Sequence, residues 1–163
     1  MSTEKNLDAA FAGESQANRK YLAFAKQAEI EGFPQIARLF RATAEAETIH
    51  AHAHLKAMGA IKSTAENLKA AISGETYEFE EMYPPFIKDA EADNNAAAVR
   101  TFKLANEAEK VHADLYAKYL ANLEKKELVD IFLCPVCGHI AEGSTPNACP
   151  ICGTKAAAYK KID

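Results

Sequence analysis

The stretch that decides the fold is EAEKVHADLY, residues 107–116, in which a glutamate precedes a histidine by three positions. At 3.6 residues per turn, Glu109 and His112 share one face of a helix, whereas Glu107 points about 200° away from Glu109. The shared face also carries Phe102 and Tyr116, so it is the apolar face that a helix buries. The pattern therefore predicts a carboxylate and an imidazole together inside a buried helical stripe.

The same spacing recurs in an earlier segment, where Glu47 precedes His50 by three positions. Glu14 lies within another stripe, and two further glutamates, Glu78 and Glu81, share a helix face. One Glu-x-x-His on an alanine-rich helix usually faces solvent, but two copies inside apolar stripes rarely arise by chance. Buried carboxylates with no lysine or arginine on their stripes need compensating positive charge. Two divalent cations supply that charge, and iron or manganese suits oxygen and imidazole ligands.

The chain carries four long helical patterns, rich in Ala, Glu and Lys, at about residues 3–31, 34–58, 63–92 and 96–124. Glycine, proline and asparagine occupy the short breaks between them. Helices of this length with short connections predict an all-α four-helix bundle. Pro84 and Pro85 interrupt the third pattern, which predicts with equal weight a local kink or bulge, or a helix that stops and restarts.

All four cysteines lie in the stretch CPVCGHIAEGSTPNACPICG, which contains two C-P-x-C-G units. The four thiolates, from Cys134, Cys137, Cys149 and Cys152, can close a tetrahedral site for zinc or iron. A module of about 30 residues needs such a metal, because it is too small to build a sufficient apolar core. We therefore predict two domains, a bundle over residues 1–130 and a metal-knuckle module over residues 131–163.

The composition excludes several classes of function. A net charge of −4 does not indicate a nucleic-acid partner. No apolar run reaches the length of a membrane span, and the first residues do not resemble a signal peptide, so a cytoplasmic location is predicted. No G-x-G-x-x-G fingerprint is present, which predicts that any NAD(P)H is bound by a separate protein.

The chain resembles the rubrerythrin family over essentially its whole length. The resemblance is carried by five segments, which are FAGESQANRKYLAFA, AEAETIHAHAHL, ENLKAAISGETYEFEEMYP, NEAEKVHADLY and the paired CPVCG and CPICG motifs. It implies a ferritin-like four-helix bundle followed by a small rubredoxin-like metal-knuckle domain. Glu80 and the second of the two prolines, Pro85, depart from the family pattern without touching a predicted ligand.

The resemblance also implies two iron centres. The di-iron ligands would be Glu14, Glu47, His50, Glu78, Glu81, Glu109 and His112. Glu47 and Glu109 would bridge the irons, and Glu81 would exchange with His50 when the redox state changes. The four cysteines would hold a mononuclear iron, and zinc can replace iron in either site. Tyr21 is predicted to donate a hydrogen bond to a ligand carboxylate.

The activity that the resemblance implies is a peroxidase that reduces hydrogen peroxide to water. Electrons would come from NAD(P)H through a separate reductase or rubredoxin, and then through the cysteine-bound iron. The resemblance further implies a homodimer in which one chain's cysteine centre lies close to the di-iron site of the other chain. Two alternatives stay open: a ferroxidase or iron-handling protein of ferritin type, and a non-enzymatic interaction module with a structural zinc ribbon.

Overall fold

The computed structural model describes residues 2–163 and divides into two compact units, one ending at Lys62 and one formed by Ser63–Asp163. The first unit is a helical hairpin of α1 (Thr3–Ile30) and α2 (Pro34–Ala57). Between the helices, Gly32 has a φ of +80°, a left-handed conformation that favours glycine, and Pro34 begins α2. Both helices and the break between them agree with the sequence prediction.

Small side chains form the contact between α1 and α2. Five alanines are buried there, which are Ala25, Ala28, Ala37, Ala44 and Ala51. Their small size allows the two backbones to approach closely, and the seven-residue spacing of the α2 alanines keeps them on one stripe. Asn18 is buried with them.

The second unit contains α3 (Thr64–Tyr77), a π-helical turn (Glu78–Met82), α4 (Tyr83–Ala92) and α5 (Ala96–Ala121). A short 3-10 turn, Leu123–Lys125, follows α5 and leads to the cysteine-rich module. That module has strands β1 (Ile131–Leu133), β2 (Ile140–Glu142) and β3 (Lys160–Ile162), with a 3-10 turn at Ala156–Ala158. The strands form an antiparallel sheet in the order β2-β1-β3, in which Phe132 pairs with Ala141 on one side and Lys161 on the other.

The π-helical turn decides between the two predictions for the third helical pattern. α3 passes through the turn into α4 without a break, and the Tyr83 N–H bonds to the Glu78 carbonyl, five residues back. Pro84 and Pro85 then occupy the first turn of α4, where a missing N–H is tolerated. The wider turn makes room for the proline rings, so the bulge is the observed outcome. Such bulges often mark functional sites.

No helix in the part of the chain that the structure describes is both long enough and apolar enough to cross a membrane.

The start of α3 offers a test of local stability. Ser63 and Glu66 form a capping box, in which the Ser63 hydroxyl accepts from the Glu66 N–H and the Glu66 carboxylate accepts from the Ser63 N–H, both at 3.3 Å. Ser63→Ala removes a cap acceptor and should lower the free energy of unfolding by about 1 kcal/mol. Denaturant titration followed by circular dichroism measures this. The control is Ser73→Ala at an exposed position inside α3, which should leave stability unchanged or raise it slightly.

Candidate metal centre

One candidate metal cluster lies on the α1–α2 hairpin. One ligand atom from each of Glu14, Glu47 and His50 lies within 4.8 Å of the others. The His50 Nδ1 is 2.9 Å from the Glu47 Oε2, as the three-residue spacing predicts. The Glu47 side chain is mostly buried, whereas the His50 side chain is 56% exposed. One face of the hairpin therefore offers two carboxylates and an imidazole.

A second cluster of the same composition lies in the second unit. It joins Glu109 and His112 on α5 to Glu75 on α3. The His112 Nδ1 is 2.6 Å from the Glu109 Oε2 and 3.6 Å from the Glu75 Oε2. Burial and the neighbouring Glu109 carboxylate raise the pKa of Glu75. Burial and Glu75 likewise raise the pKa of Glu78.

The other ring nitrogen of His112 is bonded to the cysteine-rich module. The His112 Nε2 is 2.9 Å from the carbonyl oxygen of Gly138, the residue after Cys137. A carbonyl only accepts, so the hydrogen is on Nε2. A hydrogen bond of this kind to a backbone carbonyl fixes the orientation of a ligating histidine and leaves its other nitrogen available to the metal. The Nδ1 of His112 therefore faces the carboxylates as the metal-binding atom.

Five of the seven residues predicted for the di-iron site belong to one or other of these two clusters. Glu14, Glu47 and His50 form the first cluster, and Glu109 and His112 belong to the second. Of the two glutamates predicted from the third helix, Glu78 lies beside the second cluster, where it interacts with Glu75 and His112. Glu81 is exposed and outside both clusters.

Glu75 is the residue that the sequence analysis missed. It precedes Glu78 by three positions, so the available signal was a third glutamate at the same spacing as Glu78 and Glu81. The prediction extended this spacing forward from Glu78, where the π-helical turn begins and the angular step per residue changes. The spacing holds only backward, through the regular α-helix, and it is Glu75 whose carboxylate lies with Glu109 and His112. The roles of Glu78 and Glu81 as metal ligands stay predictions.

Two tyrosines, Tyr21 and Tyr83, have different surroundings. The ring of Tyr21, predicted to bond a ligand, packs 6.1 Å from Phe40 and 6.3 Å from Phe24 between ring centroids, and its hydrogen bond to a carboxylate stays a prediction. Burial and the carboxylates of Glu109, Glu78 and Glu75 raise the pKa of Tyr83. Tyr83 therefore keeps its proton beside the second cluster, a position that its sequence neighbours alone did not indicate.

The four cysteine sulfurs form the third cluster, and their ligand atoms all lie within 4.8 Å of one another. The Sγ of Cys134 is 3.6 Å from that of Cys152, and the Sγ of Cys137 is 3.4 Å from that of Cys149. These distances exceed a disulfide bond of about 2.05 Å. They are close to the edge of about 3.8 Å for a tetrahedron with metal–sulfur bonds of about 2.3 Å. The sulfur atoms therefore fit a tetrahedral metal site.

Each pair of cysteines is held by a tight turn that ends in glycine. Gly138 and Gly153 have φ values of +84° and +74°. Their N–H groups donate to the carbonyls of Cys134 and Cys149 at 3.1 and 2.9 Å. Burial raises the pKa of Cys149, but hydrogen bonds from the Tyr159 hydroxyl and nearby backbone N–H groups outweigh it and lower that pKa to about 6. Such donors favour the thiolate, the form that binds metal.

The cysteine-rich module also contacts α5 through Glu142 on β2. The Glu142 carboxylate accepts a hydrogen bond from the Tyr119 hydroxyl at 2.5 Å and pairs with the Lys118 ammonium. Together with the bond between His112 and Gly138, these contacts hold the module against α5 of its own chain. Within this chain the cysteine centre lies beside the α5 cluster, and the approach of a second chain's di-iron site stays a prediction.

Helical carboxylate–imidazole clusters and a four-sulfur cluster together define a di-metal carboxylate protein with an attached metal-knuckle module. The family model described as Rubrerythrin matches residues 5–120, and the one described as Rubrerythrin, rubredoxin-like domain matches residues 132–160. The chain therefore belongs to the rubrerythrin family. It has the rubrerythrin di-iron site and a four-cysteine rubredoxin-like site, and both cofactor predictions and the predicted fold class are confirmed.

Several relatives align over most of this chain. The nigerythrin of Nitratidesulfovibrio vulgaris is 40% identical, and the alignment covers 93% of this chain and 82% of that protein. The rubrerythrin of Porphyromonas gingivalis is 35% identical, with 98% and 90% covered. A solved structure described as the fully reduced, all-ferrous state of nigerythrin superposes with a TM-score of 0.62 at 38% identity, covering 99% of this chain and 87% of that one.

The contact of Glu142 with α5 should depend on pH. Hydrogen bonds from Lys118 and Tyr119 lower the pKa of Glu142 below its ordinary 4.5. The fold therefore favours the ionised form, so its contribution to stability is complete above pH 4.5 and is lost as the pH falls through the lowered pKa. Glu142→Gln should cost about 1 kcal/mol at pH 7, because the half-exposed Lys118 is screened by solvent.

Denaturant unfolding of the original protein and of Glu142→Gln between pH 3 and 7 measures the difference in their free energies of unfolding. This difference should shrink towards zero at the acid end. An unchanged gap across that range would contradict the assignment. Glu107→Gln is the matched control, since Glu107 is an exposed glutamate on α5, the helix that carries Lys118 and Tyr119.

The cysteine-rich module should depend on its metal for folding. Cys134 is the largest fully buried side chain among the described residues, so the centre of the module is the metal site itself. Cys149→Ser should abolish metal binding and unfold residues 131–163, because metal-binding energy is folding energy in such modules. Amide NMR dispersion should collapse for the module while helix content persists. Val136→Thr changes a half-exposed residue between two ligands and should leave metal content unchanged.

Proposed function

We propose that this chain is a non-haem di-iron peroxidase that reduces hydrogen peroxide to water. Electrons reach it from an external NAD(P)H-linked donor, either rubredoxin or a reductase, and pass through the cysteine-bound iron to the di-iron site. The observation that carries the proposal is the bond between His112 and Gly138. It joins a histidine of one candidate metal cluster to the loop that holds Cys137.

The proposed ligand sets follow from the clusters. Glu14, Glu47 and His50 would hold one iron, and Glu109, His112 and the third-helix carboxylates Glu75 and Glu78 would hold the other. The mononuclear iron takes the four cysteines. Glu47 and Glu109 would serve both ions, as the resemblance to the family implies. We further propose that Glu78, which interacts with Glu75 and His112, takes the redox-dependent exchange with His50 that the resemblance implies for Glu81.

The reaction consumes one hydrogen peroxide, two electrons and two protons, and it yields two water molecules. The two ferrous ions, when bound, supply the two electrons and polarise the peroxide oxygens. The protein holds the reacting centre among partly buried carboxylates and keeps a protonated tyrosine, Tyr83, beside them as a hydrogen-bond donor. Burial also raises the pKa of Glu75 and of Glu78 above the ordinary range of a carboxyl.

The route for electrons from the cysteine centre uses residues already described. From the Cys137 sulfur it follows covalent bonds to the Gly138 carbonyl, crosses one hydrogen bond of 2.9 Å, and enters the His112 ring. His112 presents its opposite nitrogen to the di-iron ligands. With a redox-inert zinc ion in the cysteine site this connection would have a structural role only, whereas iron there would also allow it to carry electrons.

The external donor would dock on the cysteine knuckles. Pro135 and Pro150 are exposed, and Val136 is 50% exposed, so an apolar surface lies next to the sulfurs. A docked protein would bring its own redox centre near the iron there.

A homodimer is also part of the proposal. Large apolar side chains of the α1–α2 hairpin are exposed, which are Ile30, Phe33, Leu39 and Ile49. A second copy of the chain would cover them. The cytoplasmic location stays a prediction.

A peroxide titration tests the proposal. The protein is purified without air, reduced fully and treated with hydrogen peroxide in small steps, while the visible ferric-thiolate band is followed. The band should return in proportion to added peroxide, because the cysteine centre loses electrons through the di-iron site. Glu47→Ala combined with Glu109→Ala removes one carboxylate from each cluster and should slow this return at least a hundredfold, with the cysteine iron retained.

The titration also separates the alternatives. A ferroxidase would consume the ferrous ions of the carboxylate site while the cysteine centre stays reduced, and dioxygen would act faster than peroxide. A protein whose band never appears in air holds zinc at its cysteines, which would contradict the proposed electron route.

A further inference from the structure

Asn18 interrupts an otherwise uniform alanine contact. Among the described residues of α1 and α2, it is the only buried residue that is not alanine, with 6% of its surface exposed. It lies seven residues before Ala25, just as Ala37 lies seven before Ala44. Asn18 therefore occupies a position in the seam between the two helices, where an alanine would continue the pattern.

The Asn18 amide donates both of its hydrogen bonds to α2. Its Nδ2 donates to the Ala44 carbonyl at 2.6 Å and to the Thr48 hydroxyl at 2.8 Å. Its Oδ1 accepts from the Arg19 Nε at 2.9 Å, and the Thr48 hydroxyl itself donates to the Ala44 carbonyl at 3.2 Å. Both donor hydrogens of the amide thus cross from α1 to adjacent points on one turn of α2.

An alanine seam by itself does not specify how far α1 is shifted along α2. Methyl groups are small and alike, so a sliding movement loses little packing energy. Sliding would, however, leave the Asn18 amide buried without its acceptors, which costs about 1–3 kcal/mol. A single buried asparagine fixes the register of coiled coils for this reason.

The register of the hairpin decides whether the first metal cluster forms. Glu14 lies one turn before Asn18 on α1, and Glu47 immediately precedes Thr48 on α2. A shift of one residue moves a helix by about 1.5 Å along its axis. Metal–ligand distances tolerate only about 0.2 Å. We propose that Asn18 is a positioning residue that sets the register of α1 against α2 and so holds Glu14 opposite Glu47 and His50.

This inference rests on the proposed metal-binding role of that cluster, and it is tested by metal affinity rather than by turnover. The full chain, with iron retained at its cysteines, is loaded with zinc at the carboxylate site and titrated with a chromophoric chelator. Asn18→Leu keeps the number and branching of the side-chain heavy atoms and removes the hydrogen bonds. It should weaken the binding of one of the two zinc ions about tenfold, with helix content unchanged.

A double-mutant cycle with Glu14→Ala separates register from general stability. Without the Glu14 carboxylate, α1 contributes no ligand to the first cluster, so a shift of α1 along α2 cannot move a ligand away from the metal. Asn18→Leu should therefore cause little further loss of zinc affinity in that background. An equal loss in both backgrounds would overturn the proposal, and so would a lowered melting temperature with unchanged affinity.

Two further variants complete the test. Thr48→Val removes one of the two acceptors and keeps the bond to the Ala44 carbonyl, so it should weaken zinc binding about threefold. If Asn18→Leu does not fold, Thr48→Val tests the proposal in its place. An unchanged zinc affinity of Thr48→Val would then overturn the proposal. Ser15→Ala is the control, because the Ser15 hydroxyl bonds to Phe11 within its own helix at 2.7 Å, and its zinc affinity should match that of the original protein. If the original protein binds no zinc outside its cysteines, the proposed di-metal function fails instead.

Discussion

Both ring nitrogens of His112 are hydrogen-bonded, and the second unit depends on this pair of contacts. The Nδ1 meets the carboxylates of Glu109 and Glu75, whereas the Nε2 is bonded to the Gly138 carbonyl. The His112 imidazole is thus held in one orientation beside the carboxylates, and it also attaches the cysteine module to α5. Each contact constrains the other, since a ring held at both ends cannot rotate without breaking a hydrogen bond. The position of the module is therefore coupled to the geometry of the metal cluster.

In the first unit a different contact positions the residues of the metal cluster. Its two helices meet through alanines, whose methyl groups make no directional contacts. The buried amide of Asn18 supplies the directional contact that alanines lack. In both units a hydrogen bond between elements, close to the metal ligands, determines where those ligands lie. Apolar packing brings the elements together, but it is too uniform to set positions within a fraction of an ångström.

Much of the fold followed from local chemistry. The breaks at Gly32 and at residues 93–95 predicted the ends of the helices, because glycine and asparagine accept conformations that other residues avoid. The Glu-x-x-His pairs predicted contacts between Glu47 and His50 and between Glu109 and His112, since residues three apart meet on any α-helix. Each C-P-x-C-G motif predicted that its own two sulfurs lie close together, and the presence of two such motifs predicted the four-sulfur cluster.

In the third helix, the spacing of the glutamates did not predict which of them join the cluster. The sequence by itself determined the helices, the two histidine–carboxylate pairs and the cysteine knuckles, because each depends on neighbours within about one turn. Only the tertiary structure decided that Glu75 joins the second cluster and that Glu81 does not, because a π-helical turn before Pro84 changes the angular spacing at Glu78. Likewise, the bond between His112 and Gly138 joins residues far apart in the chain. Such contacts arise from the packing of whole elements, which no local spacing encodes.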